Sequence, residues 1–419
     1  MSPPIQIHSN PGWLKLELMA KGLSLGPGAR QINGASREDG CGPSVFGNVR
    51  DLDLILPGGM WACVPVVKGL LADTPYTLVA KDERHHIEVR GSLRASIPVE
   101  VRPPSRLMEY VTASGRAFRS FGTVHGPYMA LSPSDSCTFL SDADRCGFCG
   151  VGQSGSSGAV PVEDIVEVVR VARSEHQLDM VVLSVGHLGT DDGGVTFLEP
   201  YLRAIKKHFD ILVGVDALPP SDNVWIDHTY GMGADAVSYN LELFDQARFE
   251  EVCPGVHQRI GQPRFLEALE YAASVFPSGA TSCHLMVGLE PVASTRAGID
   301  RLTAIGVLPV LPVYRPFKGR DLRFDESVLA HAPRLEELGA LYAHLYRAVR
   351  GRGINVNVVR DVALATTPLD ARFFAQEDSR ISSWLHRLQG TSVARRFSAL
   401  MSDLRRALRV QSIEGAGPS

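Results

Sequence analysis

The sequence predicts an α/β protein built on a partial (β/α)6 barrel, preceded by a β-containing domain and followed by a helical extension. Three observations carry this. From about residue 127 six short apolar runs, YMALS, MVVLSVG, ILVGVD, AVSYNL, CHLMVGL and VLPVLPV, alternate with segments of helical periodicity. Before about residue 125 the runs are short and β-rich, broken by Gly and Pro: LDLILP, YTLVAKD, HHIEVRG and IPVEVRP. After about residue 322 the chain is rich in helix formers again.

Alternating strand and helix implies a parallel sheet with right-handed crossovers, and six units fall short of the roughly eight that close a full barrel. Within VEDIVEVVRVAR, Ile165, Val166, Val169 and Ala172 form one stripe, as do Phe265, Leu269 and Ala272 within PRFLEALEYAASVF. The segment ESVLAHAPRLEELGALYAHLYRAVRGRG reads as a helix stopped by Gly351 and Gly353, and SVARRFSALMSDLRRALRV as a last basic amphipathic helix packed on the barrel. The expected division is 1–125, 126–322 and 323–419.

The 419 residues are 44% hydrophobic and 21% charged, close to the soluble globular average of about 45–50% and 25%. A net charge of −4 with scattered Lys and Arg supplies no single-sign field, so neither nucleic acid nor an anionic membrane is an expected partner. The opening MSPPIQIHSNPGWLKLELMAKG lacks the charged and apolar regions of a secretory signal, and the expectation is a soluble cytoplasmic protein.

Seven cysteines stand at 41, 63, 137, 146, 149, 253 and 283, an odd number that argues for thiols rather than a disulfide framework. Three cluster in SDSCTFLSDADRCGFCGVGQ, spaced Cys-x8-Cys-x2-Cys on a polar loop after the first barrel run. Three thiolates that converge on a metal leave one coordination position for something else, whereas four would close a structural site. A zinc reading needs a fourth ligand, for which His125 and His187 are the nearest candidates in the chain.

This pattern resembles the radical S-adenosylmethionine (SAM) superfamily, in which three cysteines hold a [4Fe–4S] cluster and the remaining iron chelates SAM. The commoner spacing puts three residues between the first two cysteines; here there are eight. The resemblance covers about residues 125 to 320 and implies cluster ligation by Cys137, Cys146 and Cys149. Phe148 takes the place of the aromatic whose backbone meets the adenine. YNLELFD resembles the Asn-Leu-Asp/Glu segment of biotin and lipoyl synthases, which gives Asn240 and Glu242 a part in holding SAM's ribose and its surroundings. Residues two apart on a strand point to one side, so both can face the barrel lumen.

QRIGQPRFLEALE resembles the segment that supplies an Arg to SAM's carboxylate, matching Arg259, and a guanidinium grips a carboxylate bidentately. Gly288 matches the glycine of the Val-Gly-Leu/Ile turn beside the adenine, where a side chain would intrude. LSVGHLGTDDGG stands where the superfamily has a glycine-rich stretch for SAM's amino group, though Gly-Gly-Glu is missing, and this implicates Ser184 and Gly186. VYRPFKGRDL resembles barrel-exit segments and implies that Arg315 reaches substrate or SAM. TASGRAFRSFGTVHG and the Cys-x8-Cys-x-Phe-Cys loop resemble the radical SAM family associated with nitrilase gene clusters.

The resemblance implies an enzyme that cleaves SAM reductively to a 5′-deoxyadenosyl radical and abstracts hydrogen from a small-molecule substrate, fed by a one-electron donor of flavodoxin or ferredoxin type. Two other readings stay open: a zinc-stabilised barrel that binds or scaffolds, and a sulfur-inserting enzyme like biotin synthase with an auxiliary cluster. For the latter, Cys283 stands one residue nearer the Val-Gly turn than the biotin synthase cysteine, which in a strand flips its face. Cys41 and Cys63 could approach each other or the active site.

Overall fold

In a computed structural model, the described residues are 10–29, 51–66, 74–82, 84–91, 96–102, 105–152, 158–175, 178–314, 333–356 and 368–374. Arg315, Cys41 and the expected last helix lie outside them.

The chain opens with a helix, α1 (Pro11–Lys21), that the β-rich reading of this region did not contain. Asn10 starts it by accepting a hydrogen bond from the Gly12 amide at 2.9 Å, and Gly22 ends it at φ 66°. The strands β1 (Ser24–Leu25), β2 (Asp51–Leu56), β3 (Met60–Pro65), β4 (Tyr76–Lys81), β5 (Arg84–Val89) and β6 (Ser96–Arg102) follow, and the last five include all four β-rich runs. They form one sheet in the order β1-β4-β5-β6-β2-β3, antiparallel except for the β1–β4 pair. Leu14 and Leu18 of α1 join Leu54, Leu78 and Ile87 in its core. Lys15 of α1 is fully buried, with its Nζ 2.8 Å from Asp370 in the short helix α10 (Pro368–Ala371).

A second, seven-stranded sheet carries β7 (Gly122–His125), β8 (Tyr128–Leu131), β9 (Met180–Ser184), β10 (Leu212–Ala217), β11 (Ala236–Tyr239), β12 (Thr281–His284) and β13 (Leu308–Val310), in plain sequence order. The hairpin β7–β8 is antiparallel, and β8 to β13 are all parallel. Between them run α2 (Val162–Glu175), α3 (Val195–His208), α4 (Val224–Gly231), α5 (Gln246–Val252), α6 (Pro254–Arg259), α7 (Gly261–Val275) and α8 (Val292–Ala304). Sequential order means that every crossover advances in the same direction, which with right-handed connections puts the helices on one face and curls the sheet into a half-barrel. The predicted partial (β/α)6 barrel is therefore present, with β7 added at its edge.

The predicted helical stripes face the core: Ile165, Val169, Ala172, Phe265 and Leu269 are fully buried, and Val166 nearly so. The helix α9 (Leu335–Gly351) follows the barrel, and Tyr342 ties it there by donating to the Leu311 carbonyl at 2.6 Å. Among the described residues no helix is long and apolar enough to cross a membrane.

Candidate active site

The C-terminal ends of parallel strands are where such barrels place chemistry, because each strand-to-helix loop opens there. The loop after β8 carries Cys137, Cys146 and Cys149, all partly exposed. Two neighbouring loops clamp it. From the β9 side, Thr138 donates its amide to the His187 carbonyl at 2.8 Å, and Gly186 lies so close that a Cβ there would come within 2.7 Å of the Ser136 carbonyl and 2.9 Å of Cys137 Cβ. From the other side, the Gly147 amide donates to Val252 at 2.9 Å and the Gly255 amide to Asp144 at 3.1 Å, where a Cβ on Gly255 would meet Phe139 and Asp144 at 2.7 Å.

The clamped thiols sense one another. Burial and then the nearby Cys146 charge push the Cys149 thiol up to about 12, and burial raises Cys137 as well. Cys146 is lowered, first because the Cys253 S–H donates to it, and Cys253 rises by the same contact. Arg145 favours the thiolate at all three loop cysteines, and is itself held by a 2.6 Å bond to the Val151 carbonyl. The three sulfurs do not all approach within 4.8 Å of one another. That is wider than the edges of about 3.8 Å that a single tetrahedral zinc with bonds of about 2.3 Å would impose.

The sequence reading missed Cys253 and Arg145. Cys253 sits where α5 gives way to α6, more than 100 positions from the loop, and only folding brings it to Cys146. Of the two histidines considered as zinc ligands, His187 bonds Thr138 Oγ1 at 2.7 Å, and His125 lies on β7 with Asp53 and Cys63.

A polar belt crosses the strand ends beside the cysteines. Asn240 donates to Asp216 Oδ1 at 2.8 Å, while its own Oδ1 accepts from Ser238 at 2.5 Å and from the His284 amide at 3.0 Å. Ser184 reaches the other Asp216 oxygen at 3.4 Å. Asp216 is the hub of this belt, and no motif in the sequence had marked it.

Glu242 follows at φ 67°, a left-handed conformation that costs a non-glycine residue about 1–2 kcal/mol. Its Oε2 is sealed from solvent and has no hydrogen-bond partner among the described residues, and burial, then the Asp216 and Cys146 charges, hold its carboxyl well above the usual range. The turn is fixed by buried Glu290, which accepts from the Phe244 and Asp245 amides at 2.8 and 2.7 Å. So Asn240 and Glu242 do converge on one place, but through a break in the strand rather than by strand alternation.

Gly288 stands at φ 105° on the turn after β12, and among the described residues a Cβ there would meet Pro333 and Tyr314, both at 3.7 Å. Arg259 closes α6 and lines a cleft of about 480 Å³ on the flank of the cysteine loop, with Thr138, Phe139, His187 and Gln258. Burial, then the Arg259 charge, lowers His187. Phe148 packs, half-buried, against the barrel core. Cys283 is fully buried, and its sulfur accepts from the Leu241 amide at 3.4 Å.

No protein-family profile matches the chain. It is similar to the bacteriochlorophyllide c C-7(1)-hydroxylase of Chlorobaculum limnaeum, 26% identical over 114 residues, which cover 27% of this chain and 28% of that protein. It is also similar to the lipoyl synthase of Ectopseudomonas mendocina (strain ymp), 28% identical over 169 residues, covering 39% of this chain and 46% of that one. The chain thus spans less than half the length of these curated relatives. Among solved structures, the FeFe-hydrogenase maturase HydG from Carboxydothermus hydrogenoformans matches at a TM-score of 0.45 and 15% identity over 59% of this chain and 56% of that one. Methylornithine synthase (PylB) matches at 0.41 and 16%, over 54% and 62%. These scores are too low to carry the assignment. The likeness in sequence, joined to three clamped cysteines at the mouth of a parallel half-barrel, is a likeness to the radical SAM superfamily, whose enzymes work with a [4Fe–4S] cluster and S-adenosylmethionine.

Proposed function

We propose that this protein is a radical SAM enzyme acting on a small molecule, with Cys137, Cys146 and Cys149 as ligands of its [4Fe–4S] cluster. The observation that carries the reading is the buried Glu242 Oε2, without a hydrogen-bond partner among the described residues and held in a strained turn within reach of the Cys146 charge. An orphaned buried polar atom calls for a partner, and the ammonium and hydroxyl groups of SAM are of the right kind. The donor set fits the cluster too: three sulfurs spaced more widely than one ion requires, with Arg145 beside them to offset anionic charge.

Held by Cys137, Cys146 and Cys149, the cluster together with SAM would supply one-electron, hydrogen-abstracting chemistry. The chain's own part is to place these groups. Asp216 and Asn240, locked to each other and to Ser238, are pre-oriented for ribose hydroxyls. Gly288 puts no side chain of its own where the adenine would lie, and Phe148 lends its backbone. Arg259, in its cleft beside the cysteine loop, is placed for a carboxylate. Gly186 serves the cysteine loop by letting Cys137 and Ser136 approach, and Ser184 serves Asp216. Within the resemblance, Arg315 remains assigned to substrate or SAM.

The test is anaerobic reconstitution followed by incubation with SAM and dithionite. About four irons per chain and release of 5′-deoxyadenosine are expected, both lost in Cys146→Ala. One observation favours a second reading: Cys253 gives Cys146 a sulfur neighbour, as a four-cysteine zinc site would. One zinc bound by these cysteines with no iron uptake would establish that site and reject the first. A sulfur-inserting role is not favoured, since Cys283 is fully buried and bonded to a backbone amide. An external one-electron donor is part of the proposal.

A further inference from the structure

A separate constellation lies where the N-terminal sheet meets the barrel. Asp53 on β2 and Cys63 on β3 are directly opposed in the antiparallel ladder, and His125 ends β7. Each sheet contributes an edge strand here, β3 from one and β7 from the other. Among the described residues these three are the one set of three Cys, His or acidic side chains whose ligand atoms all lie within 4.8 Å of one another.

The distances have a meaning. Cys63 Sγ stands 3.4 Å from His125 Nδ1, and Asp53 Oδ1 stands 3.3 Å from the same nitrogen. A tetrahedral zinc with Zn–S of about 2.3 Å and Zn–N and Zn–O of about 2.0–2.1 Å gives sulfur-to-nitrogen and nitrogen-to-oxygen edges of about 3.5 and 3.3 Å. The apices already stand at the separations that such an ion sets.

The surroundings orient the ligands as a metal site does. Thr123 Oγ1 lies 3.1 Å from His125 Nε2, so that nitrogen can donate its proton there and leave Nδ1 as the lone-pair atom facing Cys63 and Asp53. The Gly126 amide donates to Asp53 Oδ2 at 3.1 Å, which leaves Oδ1 turned inward. Cys63 is fully buried, while the His125 and Asp53 side chains keep 18% and 16% of their exposure, enough for an ion to enter and for water to take a fourth position. Sulfur, imidazole and one carboxylate are a borderline-soft set that suits zinc over magnesium or calcium.

We infer that Asp53, Cys63 and His125 bind one zinc ion that clamps the N-terminal sheet to the barrel's edge strand. Both elements are then fixed at a point where Trp61 already packs so closely on Gly126 that a Cβ there would lie 2.8 Å from the indole.

Elemental analysis of the full chain with its iron–sulfur cluster in place tests this. After equilibration with zinc and removal of the excess, one zinc per chain is expected beside the iron, and Cys63→Ser should lower it at least tenfold with iron unchanged. Cobalt loaded into the zinc-free chain should show a thiolate-to-cobalt band that Cys63→Ser removes. Thr123→Val, which leaves all three ligands in place, should weaken zinc about tenfold, so a misfolded cysteine variant does not decide the matter. No zinc in the unsubstituted chain, or a zinc count and cobalt spectrum that Cys63→Ser leaves unmoved, overturns the inference and makes the trio a hydrogen-bonded cluster only. Iron content and 5′-deoxyadenosine release report on the other site independently.

Discussion

Replacing Glu242 by Gln removes an ionisable group from a buried position and changes little else. The carboxyl is held above its ordinary range by burial, Asp216 and Cys146, so the folded chain keeps a proton that the unfolded chain loses above about pH 4.3. Folding stability is then lost as pH rises from that value up to the folded pKa, at about 1.4 kcal/mol per pH unit while the two states differ by one proton. Glutamine has nothing to lose. Above about pH 4.3, in the absence of SAM, the Gln chain should therefore gain on the unsubstituted one as pH rises, by up to about 1.4 kcal/mol per pH unit. Urea unfolding at half-unit pH steps reads this directly. Beside the ammonium of bound SAM the carboxyl would release its proton to solvent, so the same change should cost a charge-assisted hydrogen bond, about 1.5–3 kcal/mol, or roughly ten- to a hundred-fold in affinity. Parallel pH profiles for the two chains, or unaltered SAM affinity, would refute the reasoning.

Gly186→Ala puts a methyl group 2.7 Å from the Ser136 carbonyl and should cost about 1–3 kcal/mol of strain. Iron uptake on reconstitution should fall while far-ultraviolet circular dichroism stays native, and full iron content would contradict the clamp. Cys253→Ala removes the S–H donor to Cys146 and should make the cluster harder to reduce, by up to about 130 mV for one hydrogen bond to a charged group. Electron paramagnetic resonance titration of the cluster checks this, and an unmoved midpoint counts against the contact. Lys15→Met strands Asp370 in the interior and should destabilise by about 3–5 kcal/mol. Adding Asp370→Leu should restore most of that loss in thermal unfolding; a double variant as weak as the single one would show that the ion pair is not what couples α1 to α10.

Much of this architecture follows from local chemistry that a sequence displays. Strand runs of four to six apolar residues and stripes such as Ile165, Val169 and Ala172 depend on periods of 2 and 3.6, which are properties of the backbone, so the six parallel strands and their helices could be read without coordinates. Helix α1 could have been read too, since Asn10, Pro11 and Gly22 are ordinary start and stop signals, but its mixed polar face hid it: Lys15 and Glu17 are buried by partners at Asp370 and Tyr76 that no local pattern announces. The loop cysteines were legible because three ligands close in sequence need only one loop to meet.

Contacts over long separations were not legible. Asp216 is an unremarkable acid at a strand end until Asn240 and Ser184 arrive from the neighbouring strands, and Cys253 is an isolated thiol until α5 and α6 fold over the cysteine loop. Strand alternation does not describe Asn240 and Glu242, because the chain between them enters a left-handed turn that the buried Glu290 holds. Sequence determined which residues form strands, helices and the cysteine loop, because those choices are made over a few positions of backbone geometry. Only the tertiary structure decided which charges share a buried space, because burial and distance belong to the assembled barrel and to no segment of it.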